Sequence, residues 1–176
     1  MTLPAPIREQ VRRRAEFACE FCGVSETDAG GSLTVDHFQP RVSGGTDDFD
    51  NLIYCCACCN QYKHDYWPTH PQEPRLWNPR HEPPKHHLIE LEDGRVHPLT
   101  ATGSFTLLRL RLNRPPLVAW RLRKRAQAEE IRLLERYRDL VQLLAQLHRQ
   151  KAAMLEEQQQ LLAEQRSLLR LLLGQE

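Results

Sequence analysis

The sequence has no apolar run of about 18 residues, so nothing in it reads as a membrane span. Its opening stretch, MTLPAPIREQVRRRAEF, lacks the apolar segment of a secretory leader. A cytoplasmic chain is therefore expected, and in that compartment thiols stay reduced. Charge of a dominant sign is also lacking: 24 Lys/Arg stand against 23 Asp/Glu, a formal net charge of +1. The balance is local, not uniform. Residues 1–90 carry 9 basic against 13 acidic side chains, and residues 91–128 carry 8 against 2. A basic middle beside an acidic head is the footprint of a polyanion partner, or else a solvated surface. From Leu117 to Leu173 there is neither Gly nor Pro, which leaves one long helix or a helical hairpin.

Cysteine is present in an unusual pattern. Six cysteines include Cys19-x-x-Cys22 and the run Tyr54-Cys55-Cys56-Ala57-Cys58-Cys59-Asn60. In a reducing compartment, paired C-x-x-C spacing points to a metal more than to disulfides, and two such pairs make a tetrahedral structural zinc site. The bland alternative is a set of buried free thiols. The spacing leaves two registers open for the second pair, Cys55/Cys58 or Cys56/Cys59.

Around these pairs the pattern reads as α+β. Residues 7–18 space Ile7, Val11, Ala15 and Ala18 as one helical face. Residues 33–40 alternate as a strand ended by Pro40, and residues 23–33 and 41–50 are turn-rich. A helix is expected from Asn51, capped by Asp50, through the cysteine run to Trp67. Residues 68–98 are irregular and rich in Pro, with a hairpin expected at Asp93-Gly94. Their histidines (His70, His81, His86, His87, His97) share no ligand spacing and are expected on the surface. In the tail, Leu133, Leu140, Leu147, Met154, Leu161 and Leu168 repeat every seven residues. Beside them run Leu134, Val141, Leu155, Leu162 and Leu169, interrupted by His148. Such a coiled-coil-like stripe needs a partner surface: the same chain, a second copy or another protein. Three segments follow: a core at 1–70, a Pro/His-rich extension at 71–114 and a Leu-rich helical tail at 115–176.

Between the cysteine pairs lie Asp36-His37 at a strand end, then Asn51, Asn60 and His64. Asn60 and His64 stand i, i+4 on the expected helix and share a face. With Asp36 from the strand they form an oxygen-and-imidazole set suited to Mg2+ or Mn2+. His37 points to the other strand face from Asp36 and suits a general base. Asn51 is placed to hold His37, or the loop carrying it, by hydrogen bonds.

The set Cys19-x-x-Cys22, Asp36-His37, Pro40, Gly44-Gly45, Asp50-Asn51-Leu52, Cys56-x-x-Cys59-Asn60 and Lys63 resembles the HNH endonucleases, over residues 15 to about 68. The resemblance implies a ββα-metal fold with a structural zinc at Cys19, Cys22, Cys56 and Cys59. The usual pattern places the second pair five residues after the helix-initial Asn, which selects Cys56 over Cys55. It implies hydrolysis of DNA phosphodiesters, with His37 and Asn51 in the catalytic set and a divalent ion at Asp36, Asn60 and His64. Asn60 stands where the family name has its last His. "LWNPR" and "LRLN" resemble an extension of many small bacterial members, which often serve phage-defence or mobile-element systems. The phosphate-contacting candidates are Arg41, Lys63, Arg109, Arg111, Arg121, Arg123, Lys124 and Arg125. Two readings compete with an enzyme: a zinc-stapled module that binds DNA or protein without cutting, and a scaffold whose tail is the working part.

Overall fold

The computed structural model describes residues 3–174. Two antiparallel hairpins and five helices make an α+β architecture: α1 Ala5–Arg14, α2 Glu26–Ala29, β1 Thr34–His37, β2 Leu52–Cys55, α3 Ala57–Lys63, β3 Leu88–Glu90, β4 Val96–Pro98, α4 Ala101–Arg109 and α5 Pro115–Leu172. The chain divides into two compact units, the first ending at Leu122 and the second beginning at Arg123.

The first helix starts at Ala5, two residues earlier than its apolar spacing predicts, because Pro6 suits a first helical turn. It ends at Arg14. Glu16 and Phe17 then adopt left-handed backbone (φ 52° and 60°), which turns the chain into Cys19.

The helix expected from Asn51 is not one element. Residues 52–55 form β2, antiparallel to β1 with Asp36 opposite Ile53 and His37 opposite Leu52. All four residues of β2 are buried. Leu52 and Tyr54 face Val11 of α1, whereas Ile53 and Cys55 face a larger core. A strand buried on both faces loses its polar alternation, and a short continuous apolar run does not distinguish strand from helix. The helix begins only at Ala57, with Cys56 as its N-cap: the Cys56 Sγ accepts from the Cys59 N–H at 3.4 Å.

The hairpin at Asp93-Gly94 is present, as β3 and β4, with Ile89 opposite His97. His70, His81, His86 and His97 are exposed. His87 is the exception: it is buried and its Nδ1 lies 2.7 Å from the Thr100 hydroxyl. The extension is not a separate segment. Leu76, Trp77, Leu110, Leu112 and Leu117 share one core with Cys19, Cys22, Cys56 and Cys59. The first unit therefore runs past residue 114 and takes in the start of α5.

An ionic knot ties α1 to α2 and β2. Arg12 donates to both carboxylate oxygens of Glu26, at 2.6 and 2.7 Å, and the Tyr54 hydroxyl donates to the same carboxylate. The Arg12 guanidinium, then the Tyr54 hydroxyl, hold the Glu26 carboxyl at about 2, below its ordinary 4.5. A depressed carboxyl stabilises the fold fully above its unfolded value, and that contribution is lost as pH falls through the folded value. Wild-type stability should thus fall between pH 4.5 and about 2. Glu26→Gln should flatten that acid limb, measured as urea midpoint against pH.

Candidate metal centre and catalytic face

Four sulfurs converge where the turn after α1 meets the start of α3. The Sγ atoms of Cys19, Cys22, Cys56 and Cys59 all lie within 4.8 Å of one another, and all four residues are buried. Cys22 and Cys56 Sγ are 3.7 Å apart. Four Zn–S bonds of about 2.3 Å in a tetrahedron place sulfurs about 3.8 Å apart, so the spacing fits zinc. Hydrogen bonds from Cys19, then Cys22 and Cys59, push the Cys56 thiol down, while Cys22 pushes Cys19 up and Cys19 pushes Cys59 up. Four thiols this close share protons; a divalent cation is what allows four thiolates together.

The structure selects the Cys56/Cys59 register. Cys55 is the last residue of β2 and Cys58 is exposed on α3. Burial pushes the Cys55 thiol up, which keeps it a neutral packing group near the Thr34 hydroxyl. A partner missing from the sequence reasoning stands beside the cluster: Arg114 places Nη2 3.9 Å from Cys56 Sγ and 4.0 Å from Cys59 Sγ. A tetrathiolate zinc carries net negative charge, and this guanidinium faces it.

On β1, successive side chains alternate as expected. Asp36 turns toward α3 and pairs with Lys63, Oδ2 to Nζ 2.8 Å. Asn60, three residues before Lys63 on the same helix, donates Nδ2 to the Thr34 hydroxyl at 3.4 Å. Thr34 and Asp36 share a strand face, and Asn60 and Lys63 share a helix face, so the two faces meet. Asp36 and Asn60 thus supply oxygen donors from facing elements. Asp36 and Asn60 are the residues that would hold a hard divalent ion such as Mg2+, which binds few protein oxygens and keeps several waters, although Asp36 already faces the Lys63 ammonium.

His64 is not brought to that face. The helix ends at Lys63, and His64 is its C-cap with φ 50° and ψ −149°. The i, i+4 argument holds only inside a helix. The His64 side chain is 74% exposed, with Nδ1 3.5 Å from Asp65.

Lys63 is corrected as a phosphate contact. Its side chain is 1% exposed, and its ammonium donates to the His37 carbonyl at 2.7 Å and the His64 carbonyl at 3.3 Å besides pairing with Asp36. It clamps the end of β1 to the end of α3. Arg121 is likewise buried and donates to the Gly94 carbonyl at 3.1 Å. Arg109 stacks 4.9 Å from the Tyr66 ring centre and Arg111 4.8 Å from that of Tyr62, with Arg111 exposed. Arg123, Lys124 and Arg125 are exposed in the second unit.

His37 lies on the opposite strand face, 15% exposed, with Nε2 2.8 Å from Asp47 Oδ1. Arg41 grips the same carboxylate with Nη2 at 2.5 and 2.7 Å. Arg41 Nε also lies 3.3 Å from Nε2, but that nitrogen cannot both donate to Asp47 and accept from Arg41. The shorter contact assigns the proton to Nε2 and leaves Nδ1 as the basic nitrogen. Arg41 first, then His37, hold the Asp47 carboxyl below its ordinary range, so it stays anionic opposite the imidazole. Asp47 is a site residue the sequence reasoning missed: it sits in a turn-rich stretch with two other aspartates and no spacing to single it out.

Asn51 does not touch His37; it fixes the loop. Its side chain accepts from the Gln39 N–H at 2.8 Å and donates to the carbonyls of Gln39 (3.1 Å) and Thr46 (2.8 Å). A Cβ on Gly45 would collide with the Gln39 carbonyl oxygen, so this position needs glycine.

Residues 19–66 match the HNH endonuclease family model. That span runs from the first zinc cysteine to just beyond α3 and includes every residue of the Asp36–Asn60 and His37–Asp47 groups. No curated protein and no solved structure matches the chain. Among the described residues, no helix is long and apolar enough to cross a membrane.

Three substitutions read the metal centre. Cys56→Ser should lose zinc and unfold the first unit, whereas Cys55→Ser should retain zinc. Arg114→Ala should weaken zinc retention by about 10–100-fold. Chelator competition with metal analysis checks all three.

Proposed function

We propose that the chain is a metal-dependent endonuclease that hydrolyses DNA phosphodiester bonds. The observation that carries this is the pairing of His37, on the strand that also turns Asp36 toward α3, with Asp47 on a loop pinned by Asn51. His37 Nδ1 takes a proton from the attacking water, while Asp47 holds Nε2–H and stabilises the imidazolium that forms. Asn51 keeps the loop from drifting, which fixes the base relative to the scissile bond. A divalent ion held by Asp36 and Asn60 would take charge from the phosphate and from the leaving 3′ oxygen. Lys63 sets the separation of the two groups by tying the His37 carbonyl to α3.

Arg109 and Arg111 on the first unit, and Arg123, Lys124 and Arg125 on the second, offer cations for the DNA backbone without reading sequence. Arg41 is committed to Asp47 and serves the base first. A role as an effector in phage defence or a mobile element agrees with a compact nuclease joined to a helical tail.

One observation favours a module that binds without cutting: Lys63 already neutralises Asp36, at 2.8 Å. Plasmid cleavage with Mg2+ or Mn2+ separates the two readings. His37→Ala should lower the rate by about 10²–10⁴-fold, the ordinary contribution of a general base. Asp47→Asn should lower it at least about 10-fold by releasing the Nε2 proton. Asn60→Ala should abolish metal-dependent cleavage and His64→Ala should leave it nearly intact. Intact plasmid with wild-type protein across metals and salts, while DNA is still bound, would establish the binding module instead.

A further inference from the structure

Residues 123–174 carry an apolar surface that none of the described residues covers. The line Leu133, Leu140, Leu147, Met154, Leu161, Leu168 is at least 50% exposed at every member. The neighbouring line Leu134, Val141, Leu155, Leu162, Leu169 is 46–61% exposed. Solvated helices of ordinary proteins do not display two such apolar rows, the second broken only at His148.

The repeat says what kind of partner fits. A seven-residue spacing on a helix of 3.6 residues per turn drifts about 20° per heptad. Over the five intervals from Leu133 to Leu168 a straight helix would rotate the row by about 100°. The row stays on one partner only if that partner is also a helix winding with the same period. This chain supplies such a helix. Its charge is no obstacle: residues 129–172 carry 7 basic and 7 acidic side chains, so copies carry no net repulsion. Half-burying these 11 side chains on each of two copies removes on the order of 1,000 Å² from water, the size at which specific interfaces begin.

The two rows are offset by one residue, about 100° around the helix. Between them runs a third line, apolar at Tyr137, Leu144 and Leu172 but polar at Lys151, Gln158 and Gln165. In any parallel coil of identical chains Lys151 meets its own copies, like charge on like, at a cost in stability.

We propose that residues 129–172 associate with the same segment of another copy of this chain as a helical coil. Each particle then carries at least two of the first units, independently of whether those units cut DNA.

Sedimentation equilibrium of the zinc-loaded full chain tests this at micromolar concentrations. The expected result is a particle of two or more chain masses. Leu147→Glu with Leu161→Glu should reduce it to one chain mass while keeping one zinc per chain and its helical circular dichroism. Filling the middle line, Lys151→Leu with Gln158→Leu, should move dissociation to at least 10-fold lower concentration. A wild-type monomer, which would assign the face to a different protein, overturns the proposal. So does a charged variant of unchanged mass, or a filled variant that dissociates more readily.

Discussion

Four sulfurs hold the first unit together. Cys19 and Cys22 belong to a turn after α1, and Cys56 and Cys59 open α3, so the cluster joins segments more than 30 residues apart in a chain with short strands and small helices. Two four-residue strands are too small to stand alone in water. A metal there would close the loop between the pairs, and that loop is the part that carries Asp36, His37, Asp47 and Asn51. Of His37, its loop partners and the Asp36–Asn60 pair, only Asn60 lies outside it, directly after Cys59.

The same cluster is also the floor of the apolar core. Trp77, Leu110, Leu112 and Leu117 pack over the cysteines, and Arg114 faces the sulfur charge from the same side. Each buried leucine contributes about 1.5–3 kcal/mol relative to exposure, a large share of a small unit's net stability. Metal binding and burial therefore reinforce one another: the core shields the sulfurs, and the sulfurs fix the ground on which the core packs. Lys63 plays the corresponding part on the polar side. It meets Asp36, the His37 carbonyl and the His64 carbonyl with one buried ammonium, so the strand bearing His37 is tied to the helix bearing Asn60.

Much of this was legible in residue spacing. The paired cysteines, the Asp36-His37 alternation, the Asp93-Gly94 hairpin and the helical character of the tail each follow from local chemistry, whereas the choice between one helix and a hairpin did not, and the tail is one helix, Pro115–Leu172. What escaped was set by tertiary context. Leu52–Cys55 reads as helix because both of its faces are buried, so the period that marks a strand is erased. Lys63 and Arg121 read as surface cations, since charge in a sequence carries no sign of the carbonyls that will capture it. Asp47 was hidden among Asp48 and Asp50; only the fold of the loop brings one of the three to His37. His64 failed for a one-residue reason, because the helix that would have placed it stops at Lys63.

The position of Trp77 bears on how such a chain is put together over evolutionary time. A recombination point after the matched family segment would strip Leu76, Trp77, Leu110 and Leu112 from the cysteine cluster and leave it bare. A junction beyond Leu122 severs no side chain of the shared core. The inheritable cassette is thus more than twice the length of the motif that announces it, and the Leu-rich helix is the piece that can be traded without rebuilding what precedes it.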